Sequence, residues 1–271
     1  MNDKAERVGR FTSSNAVKLL SVSTDRKSFG KPALTYIKQK NRERLLGRSV
    51  KTEVRAKQMS WGKLGERFVF QLLGMEYSLN STDTILHPEY PDIWAGSPDG
   101  FKYVSRRAVV EIKAPSTHDS FCDLVEPIYN GLDGLDAMSW IRKKHDKGEE
   151  YYQQIVSNCC ISGCDYGELI VFMPYKSQLS ALREFTQDSS IPMEMMSQFY
   201  WIYTSTDEDL PYLIDGAHYK NINKIFFKVP EEDKDKMTDC MVRAGKMLAP
   251  FPPSVITSTY DHSVNATIVE K

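Results

Sequence analysis

The segment Ser97-Pro98-Asp99-Gly100, followed by Glu111-Ile112-Lys113, constrains this chain more than any other. Val109, Val110 and Ile112 read as a short buried strand. Alternate side chains of a strand share a face, so Glu111 and Lys113 project together while Ile112 packs the other way. Pro98-Asp99-Gly100 is turn chemistry, and a bend there returns the chain as an antiparallel partner of that strand. The carboxylates of Asp99 and Glu111 are then expected side by side, with a lysine next to them. Alone, Pro-Asp-Gly is an ordinary turn and Glu-x-Lys an ordinary amphipathic strand; their hairpin spacing lifts the pair above that. Two hard oxygen ligands plus a substrate phosphate suit Mg²⁺ or Mn²⁺ far better than zinc. Such a trio serves metal-dependent cleavage of a phosphodiester.

Two helices are expected to flank this hairpin. Trp61 to Leu73 is helical by pattern, and at about 100° per residue Trp61, Leu64, Gly65, Phe68 and Leu72 form one apolar stripe. Lys63, Arg67 and Gln71 define its wet face. Glu66 falls outside that face, between Phe70 and Leu73 on the wheel, where a carboxylate is costly unless a metal, a cation or hydrogen bonds satisfy it. A structural salt bridge is the plain alternative. A later helix, about Glu149 to Ser162, carries Tyr151, Gln154 and Asn158 on one side, and Gln154 and Asn158, one turn apart, can reach a common ligand. Tyr166 to Pro174 then reads as a buried strand.

Near the start, Thr12, Ser13 and Ser14 precede Ala16-Val17-Lys18-Leu19-Leu20, so hydroxyls and free amides are expected at a helix N-terminus, which attracts anions. A plain N-cap is the competing explanation.

The order of these pieces resembles the phage lambda exonuclease group of the PD-(D/E)xK nuclease superfamily, the viral alkaline exonucleases used in recombination. The resemblance covers roughly residues 7 to 175. It consists of a helix with Trp61-Gly62-Lys63-x-x-Glu66, then Ser97-Pro98-Asp99-Gly100, then Glu111-x-Lys113-x-Pro115, then a helix opening Tyr151-x-x-Gln154. Arg7-Val8-Gly9-Arg10-Phe11-Thr12-Ser13-Ser14 is similar to the family segment that holds the 5′ phosphate of a DNA end, with Arg7, Thr12 and Ser14 as the implied ligands. The family often has a second glutamine two positions after the first; here that position is Val156, and Gln153 stands beside Gln154, leaving two candidates for the residue that approaches the scissile phosphate.

The resemblance implies a mixed α/β fold with a restriction-endonuclease-like core, a central sheet flanked by helices, and a helical N-terminal part. Residues 1–60 are then the helical, DNA-end-binding part, 61–175 the catalytic core, and 176–271 a C-terminal elaboration packed on the same domain. Asp99, Glu111 and the carbonyl of Ile112 are expected to hold one Mg²⁺, for which Mn²⁺ can substitute. Glu66 contributes to a second ion or orients a ligand water, and Lys113 positions or helps deprotonate the attacking water. Also implied are 5′ to 3′ digestion of one strand from a duplex end, a ring of identical subunits, in all expectation a trimer, and a single-strand annealing protein as partner.

Composition sets the outer limits. With 271 residues and 41% hydrophobic content, the chain can bury the core of one elaborated domain or of two. No run approaches the roughly 20 apolar residues of a membrane span. The start lacks an apolar signal region, which points to the cytoplasm, that of the host cell for a viral protein. Cys122, Cys159, Cys160, Cys164 and Cys240 show no two-plus-two metal spacing and read as reduced thiols, which argues against the related iron-sulfur nucleases. The net charge of −1 hides a strong asymmetry. From Arg26 to Lys57 stand eleven Lys or Arg (Arg26, Lys27, Lys31, Lys38, Lys40, Arg42, Arg44, Arg48, Lys51, Arg55, Lys57) against Glu43 and Glu53, a net of +9 and a candidate duplex-facing surface. A second cluster, Arg142-Lys143-Lys144-His145, is expected in a loop. Met193, Met195, Met196, Phe199, Trp201 and Tyr203 read as core by default, and a helix is expected from about Pro230, ended by Pro250, Pro252 and Pro253. The competing functions are an endonuclease of restriction or repair type, a recombination scaffold that binds DNA without cutting it, and an unrelated α/β protein with an ion-pair cluster.

Overall fold

A computed structural model describes residues 6–25, 27–50, 56–79, 84–103 and 107–252. Arg26, Lys51, Glu53 and Arg55 of the basic run, Pro253, and the tail after it lie outside the described residues.

The centre is a five-stranded sheet of order β2-β5-β6-β7-β8, made of β2 (Tyr77–Leu79), β5 (Gly100–Lys102), β6 (Ala108–Lys113), β7 (Tyr166–Phe172) and β8 (Ile222–Lys228). β6 and β7 are parallel and every other pairing is antiparallel. Both central strands are buried on both faces, which is why they read as near-continuous apolar runs. The expected antiparallel pair is present, Gly100 opposite Val110 and Lys102 opposite Ala108, but the chain reverses between Lys102 and Ala108, and Pro98-Asp99-Gly100 instead bends it into the start of β5. A smaller sheet of order β1-β4-β3 joins β1 (Phe11–Thr12), β4 (Trp94–Gly96) and β3 (Ile85–Leu86), with β1 parallel to β4. The N-terminal part is therefore not wholly helical.

The first helical turns are short, a 3₁₀ turn over Ser13–Asn15 and α1 (Ala16–Leu19); α2 (Lys31–Leu46) and α3 (Lys57–Phe70) follow. α3 buries Trp61, Leu64, Gly65, Phe68 and Val69. Leu72, assigned to this stripe from the wheel, lies past the end of the helix and is 39% exposed; Val69 takes its place in the core. The crossover from β6 to β7 runs through α4 (His118–Tyr129), α5 (Gly134–Lys144) and α6 (Gly148–Ser162). Arg142, Lys143 and Lys144 form the last turn of α5 and not a loop. Cations there face the negative end of the helix dipole, which makes this run a favourable helix terminus.

The sheet has two apolar faces. Val110, Ile112, Ile170 and Phe172 pack with α3, α7 (Leu179–Phe185) and α8 (Met193–Thr204). Val109, Leu169 and Val171 pack with α4, α5, α6 and α9 (Glu231–Gly245). Residues beyond 175 thus complete the same cores and, through β8, the same sheet. On α8, Phe199 is buried, but Met193 is 84% and Tyr203 49% exposed, so the methionine-aromatic run is only partly core. All five cysteines are free thiols. Among the described residues, no helix is long and apolar enough to cross a membrane.

Candidate active site

The alternation of β6 turns Glu111 and Lys113 to the α6 side, opposite Val110 and Ile112. Glu111 is 1% exposed. Its Oε1 accepts from Lys113 Nζ at 2.5 Å, whereas its buried Oε2 has no hydrogen-bond partner among the described residues. Asp99 arrives from the start of β5, and its Oδ2 accepts the Ile112 N–H at 2.7 Å, which pins the turn to β6. Glu66 comes from the opposite layer. A Cβ on Gly65 would lie 2.5 Å from the Cβ of Ala114, so only glycine lets α3 close on the end of β6 and bring the next residue, Glu66, to the carboxylate pair. Lys113 Nζ also stands 4.8 Å from the centroid of the Tyr151 ring, on α6.

The electrostatics follow from this enclosure. Burial, and then the charge of Asp99, push the Glu111 carboxyl up to about 8. The same two causes raise Glu66 to about 7. Asp99 is raised by burial against the pull of Lys113 and the Ile112 N–H. For Lys113, burial opposes the charged form, but Glu111, Asp99 and Glu66 override it and hold the ammonium above its ordinary value. Lys113 thus serves all three carboxyl groups, with Lys63 and Arg67 acting on Glu66 as well, and one of their buried oxygens, Glu111 Oε2, has no hydrogen-bond donor among the described residues. Among the described residues, no three His, Cys, Asp or Glu side chains form a closed metal cage. An open pair of carboxylates is nevertheless the donor set that Mg²⁺ takes, since it keeps several waters and completes its shell with substrate phosphate.

α6 separates its two glutamines. Gln153 is buried and donates to Glu149 Oε1 at 2.8 Å. Gln154 is half-buried and lies three residues after Tyr151, hence on the face that Tyr151 turns to Lys113. Asn158 stands one turn further along α6. It is 1% exposed, and its Oδ1 would be 2.5 Å from a Cβ on Gly96, an approach that only glycine permits.

The N-terminal segment forms a second polar cluster. β1 lies along β4, with Thr12 opposite Ala95, four residues before Asp99. Thr12 and Ser14 hydroxyls are 3.4 Å apart, and Asn15 Nδ2 donates to both, at 3.3 and 3.2 Å. The Tyr36 hydroxyl accepts the Thr12 N–H at 2.9 Å, and the charge of Arg7 acts on it. Ser13 is buried and accepts from Ser157 Oγ at 2.9 Å. The expected helix N-terminus is weak, because the 3₁₀ turn and α1 are too short to build a dipole and Thr12 makes no side-chain cap; hydroxyls and an amide carry this cluster. Asn15, Lys18 and Tyr36 join the cluster beyond the residues that the motifs single out. The Asn15–Lys18 contact has a local signal in its spacing, whereas Tyr36 reaches Thr12 only through the fold.

The basic run divides. Lys27, Lys31, Lys38, Arg42, Arg48 and Lys57 are exposed, as a duplex-facing surface requires. Lys40 and Arg44 are buried and serve structure: Lys40 pairs with Glu43 at 2.8 Å, and Arg44 donates to the carbonyls of Gly9, Asp92 and Ala249.

No curated protein sequence gives a match to this chain. Solved structures do. An alkaline exonuclease from Laribacter hongkongensis superposes with a TM-score of 0.51 at 14% identity, over 90% of this chain and 91% of that one. The same exonuclease in complex with dAMP gives 0.50 at 15% identity, over 90% of each chain. A phage-related exonuclease from Haemophilus somnus gives 0.56 at 14% identity, over 88% and 92%. These likenesses establish the mixed α/β exonuclease fold expected from the sequence. A model of the YqaJ-like viral recombinase domain matches residues 4–165, which hold all the motifs described above, and the chain therefore belongs to that family, in the lambda exonuclease-like group.

Proposed function

We propose that this protein is a Mg²⁺-dependent deoxyribonuclease that digests linear duplex DNA 5′ to 3′ from its end, in phage-type homologous recombination. The observation that carries the proposal is the convergence of Asp99, Glu111, Glu66 and Lys113 at one end of β6, with a buried carboxylate oxygen that no donor among the described residues reaches. A bound Mg²⁺ would lower the pKa of a ligand water and offset charge on the pentacovalent phosphorus. Asp99, Glu111 and the Ile112 carbonyl are its ligands in this proposal, and Glu66 holds a second ion or a ligand water. Lys113, kept charged by three carboxylates, donates to and orients the attacking water and does not take its proton. Gln154, beside Tyr151, contacts the scissile phosphate. Arg7, Thr12 and Ser14 hold the terminal 5′ phosphate beside β4, the strand that leads into Asp99. A ring of identical subunits and a single-strand annealing partner complete the proposal, from likeness to the family.

Digestion of linear duplex labelled at either end, with closed circular duplex as control, tests this. The expected result is Mg²⁺-dependent shortening from the 5′ ends, intact circles, and no product from Asp99→Ala or Lys113→Ala. Cleavage of closed circles would turn the assignment to an endonuclease. Ordinary turnover by Asp99→Ala would remove the active site as drawn. Binding without cutting, in Mg²⁺ or Mn²⁺, would leave a recombination scaffold.

A further inference from the structure

We propose that Asn15 is a positioning residue that turns the Thr12 and Ser14 hydroxyls into outward hydrogen-bond donors and so makes this cluster selective for a terminal phosphate monoester. The inference rests on the assignment of Arg7, Thr12 and Ser14 to the DNA end.

The argument is one of donor and acceptor capacity. Lys18 Nζ can only donate, and it donates to Asn15 Oδ1 at 2.5 Å. The Asn15 amide is thereby fixed with its nitrogen toward the hydroxyls, donating to Thr12 Oγ1 and Ser14 Oγ. Tyr36 acts on Thr12 from the other side. Its oxygen already accepts the Thr12 N–H, and it lies 3.2 Å from Thr12 Oγ1, a contact in which either hydroxyl can donate and which in this proposal takes the Tyr36 proton. A hydroxyl has two acceptor sites and one proton. With Tyr36 donating, Asn15 and Tyr36 fill both acceptor sites of Thr12 and its O–H is left to give, its 3.4 Å contact with Ser14 Oγ being long enough to yield to a phosphate oxygen; Ser14 is half-filled in the same sense.

Such hydroxyls match acceptor-only phosphate oxygens and reject a cation or a neutral donor. A monoester carries about −1.5 to −2 at pH 7, more charge than an internal phosphodiester, and has three strong acceptor oxygens. The lysine that sets the amide stands 5.6 Å from the Tyr36 ring centroid, so the positive charge and the filled acceptors sit around the same two hydroxyls.

Asn15→Asp separates this role from simple tethering of the turn. The side chain keeps its size, its contact with Lys18 becomes an ion pair, and the group facing the hydroxyls changes from donor to acceptor. Tethering predicts an unchanged or higher melting temperature and an unchanged end preference. Positioning predicts an unchanged or higher melting temperature with the 5′-phosphate over 5′-hydroxyl rate ratio reduced about tenfold or more, the usual worth of a hydrogen bond to a charged group. Tyr36→Phe is the neutral second variant: it adds no charge, empties one acceptor site of Thr12, and should lower the same ratio even if Asn15→Asp does not fold. Rates are measured below saturation on otherwise identical linear duplexes, with Arg7→Ala in parallel. Loss of the ratio in Arg7→Ala but not in Tyr36→Phe or folded Asn15→Asp overturns this inference alone. An equal wild-type rate on both ends overturns the phosphate anchor, and this inference with it.

Discussion

Replacing Glu111 by glutamine should change how the stability of the metal-free protein depends on pH. Glu111 has a folded-state value of about 8 against the ordinary 4.5, because burial and Asp99 disfavour its charge. A carboxyl raised in this way contributes stability that is present below about 4.5 and lost as pH rises through the folded value. The separation corresponds to a loss on the order of 5 kcal/mol across that window, of which about 3 has gone by neutral pH. Glu66 and Asp99 are raised as well and act with the same sign. Lys113 adds no slope here, since its ammonium stays protonated throughout. In chelator, wild-type stability from this source should fall between pH 5 and 8, a melting shift of roughly 10 °C at about 2–4 °C per kcal/mol. Glu111→Gln cannot ionise, so subtracting its curve from wild type isolates the group. Mg²⁺ should restore more stability to wild type as pH rises, because the ion binds the ionised pair. Equal pH slopes for the two proteins in chelator, or wild-type stability rising relative to the variant, would refute the reasoning.

Three further outcomes follow from the same geometry. Glu66→Gln should lose activity and weaken Mg²⁺ binding in calorimetric titration with little loss of metal-free stability, whereas a salt-bridge role gives lower stability and intact activity. Gly65→Ala places a Cβ 2.5 Å from that of Ala114, so it should cost about 1–3 kcal/mol in urea unfolding and slow cleavage by moving Glu66 off the pair. Neutralising exposed Lys38 and Arg42 together should lower the slope of log affinity against log salt by about 0.9 per lost phosphate contact, measured with Ca²⁺ in place of Mg²⁺; an unchanged slope assigns those charges to solvent alone.

What the sequence determined by itself was whatever depends on local period. A strand alternates every second residue, so Glu111 and Lys113 had to share a face, and Pro98-Asp99-Gly100 had to bend the chain; that this bend opens β5, while the reversal into β6 lies between Lys102 and Ala108, only the fold decided. Glu66 stood out because a helix wheel is also local. The structure decided the rest through contacts that no window contains. Lys40 and Arg44 look like any other cation in a basic run, yet carbonyls as distant in sequence as Ala249 draw Arg44 inward. Gln153 and Gln154 are neighbours in sequence, and the bond from Gln153 to Glu149 leaves Gln154 on the side of Tyr151. Val69 displaced Leu72 from the core because the helix ended first. Tyr36 reached Thr12 only because α2 folds back on β1, and the direction of each hydroxyl near the DNA-end segment depends on that contact. Periodicity fixes which way a side chain points on its own element; burial and donor direction depend on what the fold puts opposite it.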